Sequence, residues 1–128
     1  MRSHVNNNRI QIFIPYIGKG LSVNHYKPDG RHTLPEVTEW MSILATLARW
    51  ELNKGYKVKV PVIIHLYGRF KDNRSTPDLH NLHKVIGDAL KQVEYIPDDK
   101  EFLFQDEGYS IDKLADPELI IGVDVEGI

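Results

Sequence analysis

The chain has 128 residues, no cysteine, 41% hydrophobic and 27% charged residues, and a net charge of −2 at neutral pH. That length fits one domain around one core, and the composition is that of a globular chain, not a disordered or fibrous one. The missing cysteines exclude a disulfide framework, thiol catalysis and any cysteine-based zinc site. No apolar run is long enough to span a bilayer, and the polar opening "MRSHVNNNR" lacks the apolar centre of a signal peptide, so the expectation is a cytoplasmic protein with no membrane partner.

The charge is unevenly spread. From Lys54 to Lys91 there are eight basic and three acidic residues, a balance of +5, while from Glu94 onward eleven acids face two lysines, a balance of −9. A polyanion could bind the middle segment and avoid the tail, although solvated charge of both signs explains the same numbers.

In chain order, "RIQIFIPY" alternates at period two, with Ile10, Ile12 and Ile14 on one side, and reads as a strand. The glycine- and proline-bearing "IGKGLSVNHYKPDGRHTLP" reads as a long loop. Pro35 opens a helix whose first turns carry Glu36 and Glu39 and which Lys54-Gly55 closes. Val37, Met41, Leu44 and Ala48 form its apolar stripe, widened by Trp40, Ile43, Leu47 and Trp50; a stripe that wide is deeply buried or packs on a partner as well.

"KVKVPVIIHLYGRF" reads as a second strand and "KDNRSTP" as a short polar loop. Leu79 to Val93 reads as the second helix, "YIPDDKE" as a turn, and "EFLFQDEGYSID" with "ELIIGVDVE" as a hairpin bridged by "KLADP". The order β-α-β-α-β-β describes an α+β fold: a single small domain over residues 1–128, with a mixed sheet of about four strands and two helices packed on it.

The second helix carries the chemistry. At 100° per residue Leu79, Leu82, Ile86, Ala89, Leu90 and Val93 share a buried face, while His80, Asn81, Lys84, Asp88 and Lys91 lie opposite. Asp78 stands where a helix cap belongs. Singly, Asp78 reads as a cap, His80 and His83 as ordinary helix histidines, and Asp98-Asp99 as a turn. A zinc site built from His65, Asp78, His80 and His83 is a weaker alternative, because His80 and His83 diverge on the helix. Together, carboxylates near a lysine and beside a basic loop are what holds Mg²⁺ against a phosphate.

The run "PDLHNLHKVIGDALKQVEYIPDDKE" resembles the signature of the RusA family of Holliday-junction resolvases, a D-x-D-N-L-x-K run followed by D-A-L and a turn ending in D-D. Asp78, Asn81, Leu82 and Lys84 match the run, Asp88-Ala89-Leu90 the middle, and Asp98-Asp99 the end, without a gap. "SVNHY" is similar, more loosely, to a Ser-Asn loop of that family, and the element order agrees.

The resemblance implies a divalent-metal-dependent endonuclease of bacterial or phage origin, a homodimer that cuts four-way DNA junctions symmetrically in recombination and repair. It assigns catalysis to Asp78, Lys84 and Asp99, and metal binding to Asp78, His80, Asp98 and Asp99. Arg69, Lys71, Arg74 and Asn81 would contact the DNA. The second aspartate of the family run is His80 here. An imidazole suits Mn²⁺ better than Mg²⁺, so the expected cofactor is Mg²⁺ or Mn²⁺, with the second favoured. Three roles stay open for His80: a metal ligand, a proton acceptor or donor, or the mark of a protein that binds branched DNA without cutting it.

Overall fold

The computed structural model describes residues 1–97 and 102–127. Its strands are β1 (Arg2–Asn6), β2 (Arg9–Pro15), β3 (Lys57–Val58), β4 (Ile63–Phe70), β5 (Leu103–Ile111) and β6 (Glu118–Glu126), and its helices α1 (Pro35–Leu52) and α2 (His83–Leu90). Among the described residues the α+β class and two helices are as expected, but the sheet has six strands instead of about four.

The main order across the sheet is β1-β2-β6-β4-β5, with β3 added on β6. β4 and β5 run parallel, and every other pairing is antiparallel. The expected hairpin between the last two strands does not form: β4 lies between them, pairing with β6 on one side and β5 on the other. Parallel neighbours need a crossover instead of a tight turn, and the segment containing α2 supplies it.

β1 comes from the polar opening. Asn7 and Asn8, both at positive φ (52° and 58°), make the two-residue turn that folds Arg2–Asn6 back on β2. Asparagine tolerates that left-handed geometry, which suits the twist of a hairpin. The long strand expected after Gly55 is divided, with β3 pairing only briefly before β4 begins.

Both helices cover one face of the sheet. Ile10, Ile12 and Ile14 of β2, Ile64 and Leu66 of β4, and Leu119, Ile121 and Val123 of β6 meet Val37, Trp40, Leu44 and Ala48 of α1 and Val85, Ile86 and Ala89 of α2 in one core. The Trp40 indole N–H donates to the Pro15 carbonyl at 2.8 Å, fixing α1 to the end of β2. Ile43 and Leu47 are half-buried and Trp50 is 64% exposed, so the wider apolar stripe is only partly covered. The buried Glu51 carboxylate is satisfied by the Ser3 hydroxyl at 3.0 Å and the Lys54 ammonium at 2.8 Å.

Candidate functional site

Pro77 keeps the chain extended, and at Asp78 it turns into a single 3₁₀ turn, Leu79–Leu82, that leads directly into α2. Asp78 is the cap of that turn. Its Oδ1 accepts the His80 backbone N–H at 3.0 Å, and its carbonyl accepts from Asn81 N–H at 3.0 Å. Leu79 and Leu82 point into the core, which leaves Asp78 and His80 exposed and Asn81 half-buried. The second helix is thus a 3₁₀ turn and a short α-helix, ending at Leu90 instead of Val93.

The preceding loop is held by Asp72. Its carboxylate accepts from the Ser75 backbone N–H at 2.8 Å and the Ser75 hydroxyl at 2.9 Å, and its carbonyl accepts from Thr76 Oγ1 at 2.8 Å. Those bonds from Ser75 hold the Asp72 carboxyl below the usual range.

Two clefts flank the turn. The first, about 440 Å³, contains Asp78 and Asn81 together with Lys19, Ser22, His25 and Arg74. The second, about 360 Å³, is lined by His80, His83, Lys84 and Lys91 over Phe102 and Phe104. The loop after β2 closes on the turn through the Val23 N–H, which donates to the Asn81 carbonyl at 2.8 Å. Buried Tyr26 donates its hydroxyl to Asp88 Oδ2 at 2.6 Å, and Lys84 Nζ sits 3.4 Å from the other oxygen of Asp88. Burial, and then the bond to Asp88, pushes the Tyr26 hydroxyl well above its ordinary pKa.

His83 stacks on Phe104 with ring centroids 4.1 Å apart and bonds Asp106 at 2.7 Å, and His80 meets its edge with centroids 4.8 Å apart. His80 and His83 therefore touch, but His65 lies on β4, bonded to Asp124. Among the described residues no group of three histidine, aspartate or glutamate side chains is gathered to hold a metal ion. Asp98 and Asp99 lie outside the described residues.

The remaining basic residues separate. Arg74 joins Asp78 in the first cleft, and Lys71 is exposed just beyond β4. Arg69 lies near the end of β4 and pairs with Glu118 of β6 at 3.4 Å, away from the cleft. Lys19 and Asp106 were not legible as site residues: Lys19 lies in the cleft with Asp78, Asp106 bonds His83, and no spacing pattern marks either. His25 and Tyr26 belong to the "SVNHY" stretch, the first in the cleft with Asp78 and the second bonded to Asp88 of α2.

No helix among the described residues is long and apolar enough to cross a membrane. No protein-family model and no curated protein matches the sequence. Among solved structures, an outer membrane protein from Borrelia burgdorferi B31 is similar at 13% identity and a TM-score of 0.45, over 98% of this chain and 96% of that one. A likeness so slight assigns neither fold nor function.

Proposed function

We propose that this chain is a divalent-metal-dependent endodeoxyribonuclease acting on four-way DNA junctions. The observation that carries the reading is the ungapped run from Asp78 to Asp99, which resembles the RusA signature at every position but His80. A basic-rimmed cleft at Asp78, with Lys19, His25 and Arg74, supports it, since phosphate contacts from such groups supply most of a protein's grip on DNA.

The donor set suits a hard divalent cation. Asp78 uses Oδ1 as the cap, and its Oδ2 accepts no hydrogen bond among the described residues. Asp78 and Asp99, with Asp98 and His80, would hold Mg²⁺ or Mn²⁺, which when bound lowers the pKa of a water and neutralises phosphate charge. Lys84 stabilises negative charge growing on the phosphate, oriented by Asp88, which Tyr26 fixes in turn. Arg74, Lys71 and Asn81 position the backbone. A homodimer would place two such sites for paired cuts.

The deciding experiment is cleavage of an end-labelled four-way junction with Mg²⁺ and Mn²⁺ tested separately. Paired nicks that vanish in Asp78→Asn support the reading. Tight junction binding with no product in either metal would defeat it. That outcome would favour a protein of the same fold that binds branched DNA without cutting, a reading supported by His80 lining the second cleft against His83 instead of lining the first with Asp78.

A further inference from the structure

We propose that the second cleft, between α2 and the edge strand β5, receives one unstacked base of the strand held at Asp78. That the strand is DNA rests on the nuclease reading; that the cleft takes a base rests on its own lining.

The floor is aromatic. Phe104 pairs with buried Ile64 of β4, so it lies on the face that the helices cover, and Phe102, two residues earlier, faces α2 beside it. β5 is the outer strand of the sheet, and both rings stay half-buried under the helix. The aromatic wall continues through His83, whose ring plane is 9° from that of Phe104, to His80, which meets His83 at 65°.

Gly87 keeps the rings uncovered. A Cβ there would make ordinary contact with Phe102 Cδ2 at 3.7 Å and Phe104 Cζ at 3.8 Å. Crowding therefore does not demand glycine, and within a helix glycine is less stable than alanine. A long side chain at this position would lie over both phenylalanines. The glycine leaves about 360 Å³ among the described residues, within the size range of ligand sites.

Charge selects the occupant. Lys84 and Lys91 line the cleft with one carboxylate, Asp88, which the Tyr26 hydroxyl and Lys84 already engage. Lys91 Nζ lies 5.7 Å from the centre of the Phe102 ring. Cations beside π-faces suit an occupant that is flat and aromatic at one end and anionic at the other, as a nucleotide is. An aliphatic partner would gain nothing from the lysines, and a bare anion nothing from the rings. Stacking of this kind tolerates any base. Taking a base out of the helix costs least where pairing is already interrupted, as at a branch point.

The test compares binding of a four-way junction with binding of the same junction carrying one abasic sugar, placed in turn at each nucleotide beside the branch, in Ca²⁺. Wild type should bind one of the abasic junctions roughly 5- to 150-fold more weakly than the intact one. Gly87→Leu should bind both equally, at the weaker level. Gly87→Ala, which should raise the Tm, should narrow the difference, and it carries the test if the larger side chain prevents folding. A wild type indifferent to every missing base, or a difference undiminished in both glycine variants, would overturn the proposal. Cleavage in Mg²⁺ or Mn²⁺ reads the nuclease separately: paired nicks without base discrimination defeat the base site alone, and discrimination without nicks defeats the nuclease alone.

Discussion

At the scale of single residues, the opening of α2 gives Asp78 a structural role that can be separated from a chemical one. Asparagine caps as well as aspartate, while alanine does not. Asp78→Asn should therefore keep its melting temperature and lose cleavage, whereas Asp78→Ala should also lose about 0.5–2 kcal/mol of stability in denaturant titration. Equal destabilisation by both would show that the charge itself holds the turn. His80→Asp restores the acidic ligand of the family run and should raise the ratio of Mg²⁺- to Mn²⁺-supported cleavage; an unchanged ratio removes His80 from the metal. Asp72 offers a pH test. Its folded-state pKa is depressed below 3.8 by the bonds from Ser75, so its support of the loop is full above that value and is lost as pH falls through the lowered one. The Ser75 amide resonance should titrate with a midpoint below 3.8, and a midpoint at or above it would contradict the bonded loop.

At the scale of elements, local patterns were reliable where one periodicity ruled. The alternation of "RIQIFIP" became β2, and the stripe Val37, Met41, Leu44 and Ala48 became the buried face of α1. β1 was missed because its side chains are half-buried or exposed, so no apolar alternation announces it; the Asn7-Asn8 pair was the available signal. The supposed hairpin of β5 and β6 failed for a different reason. Strand character is local, but partner choice is not, and β4 occupies the position between them. β6, paired with β2, β3 and β4, should consequently be the most sensitive strand. Ile121→Ala should cost about 2–5 kcal/mol in equilibrium unfolding; a loss below 1 kcal/mol, roughly what Ile→Val costs, would mean that the site collapses without a cavity.

At the scale of the whole molecule, one sheet separates two groups of polar side chains. Its covered face, with the helices, carries the turn at Asp78 and the two clefts beside it. Its other face carries Arg9, His65, Glu107 and Asp124 as one charged cluster. Junction affinity should fall steeply with salt, and Lys19→Ala and Arg74→Ala should each reduce the salt slope by about one. Glu107→Gln, on the far face, should leave that slope unchanged. A slope indifferent to Lys19 and Arg74 would place the DNA elsewhere.

The sequence by itself determined the α+β class, the two helices, the cap at Asp78 and the ungapped spacing from Asp78 to Asp99, because each depends on neighbours within a few turns of chain. Tertiary structure alone decided the strand order, the company of Lys19, His25 and Arg74 around Asp78, the division of Asp78 from His80 between two clefts, and the burial of His65 against Glu107 and Asp124. Those depend on which distant strands pair and on how side chains from separate strands meet, and the alternation that marks a strand does not name its partner.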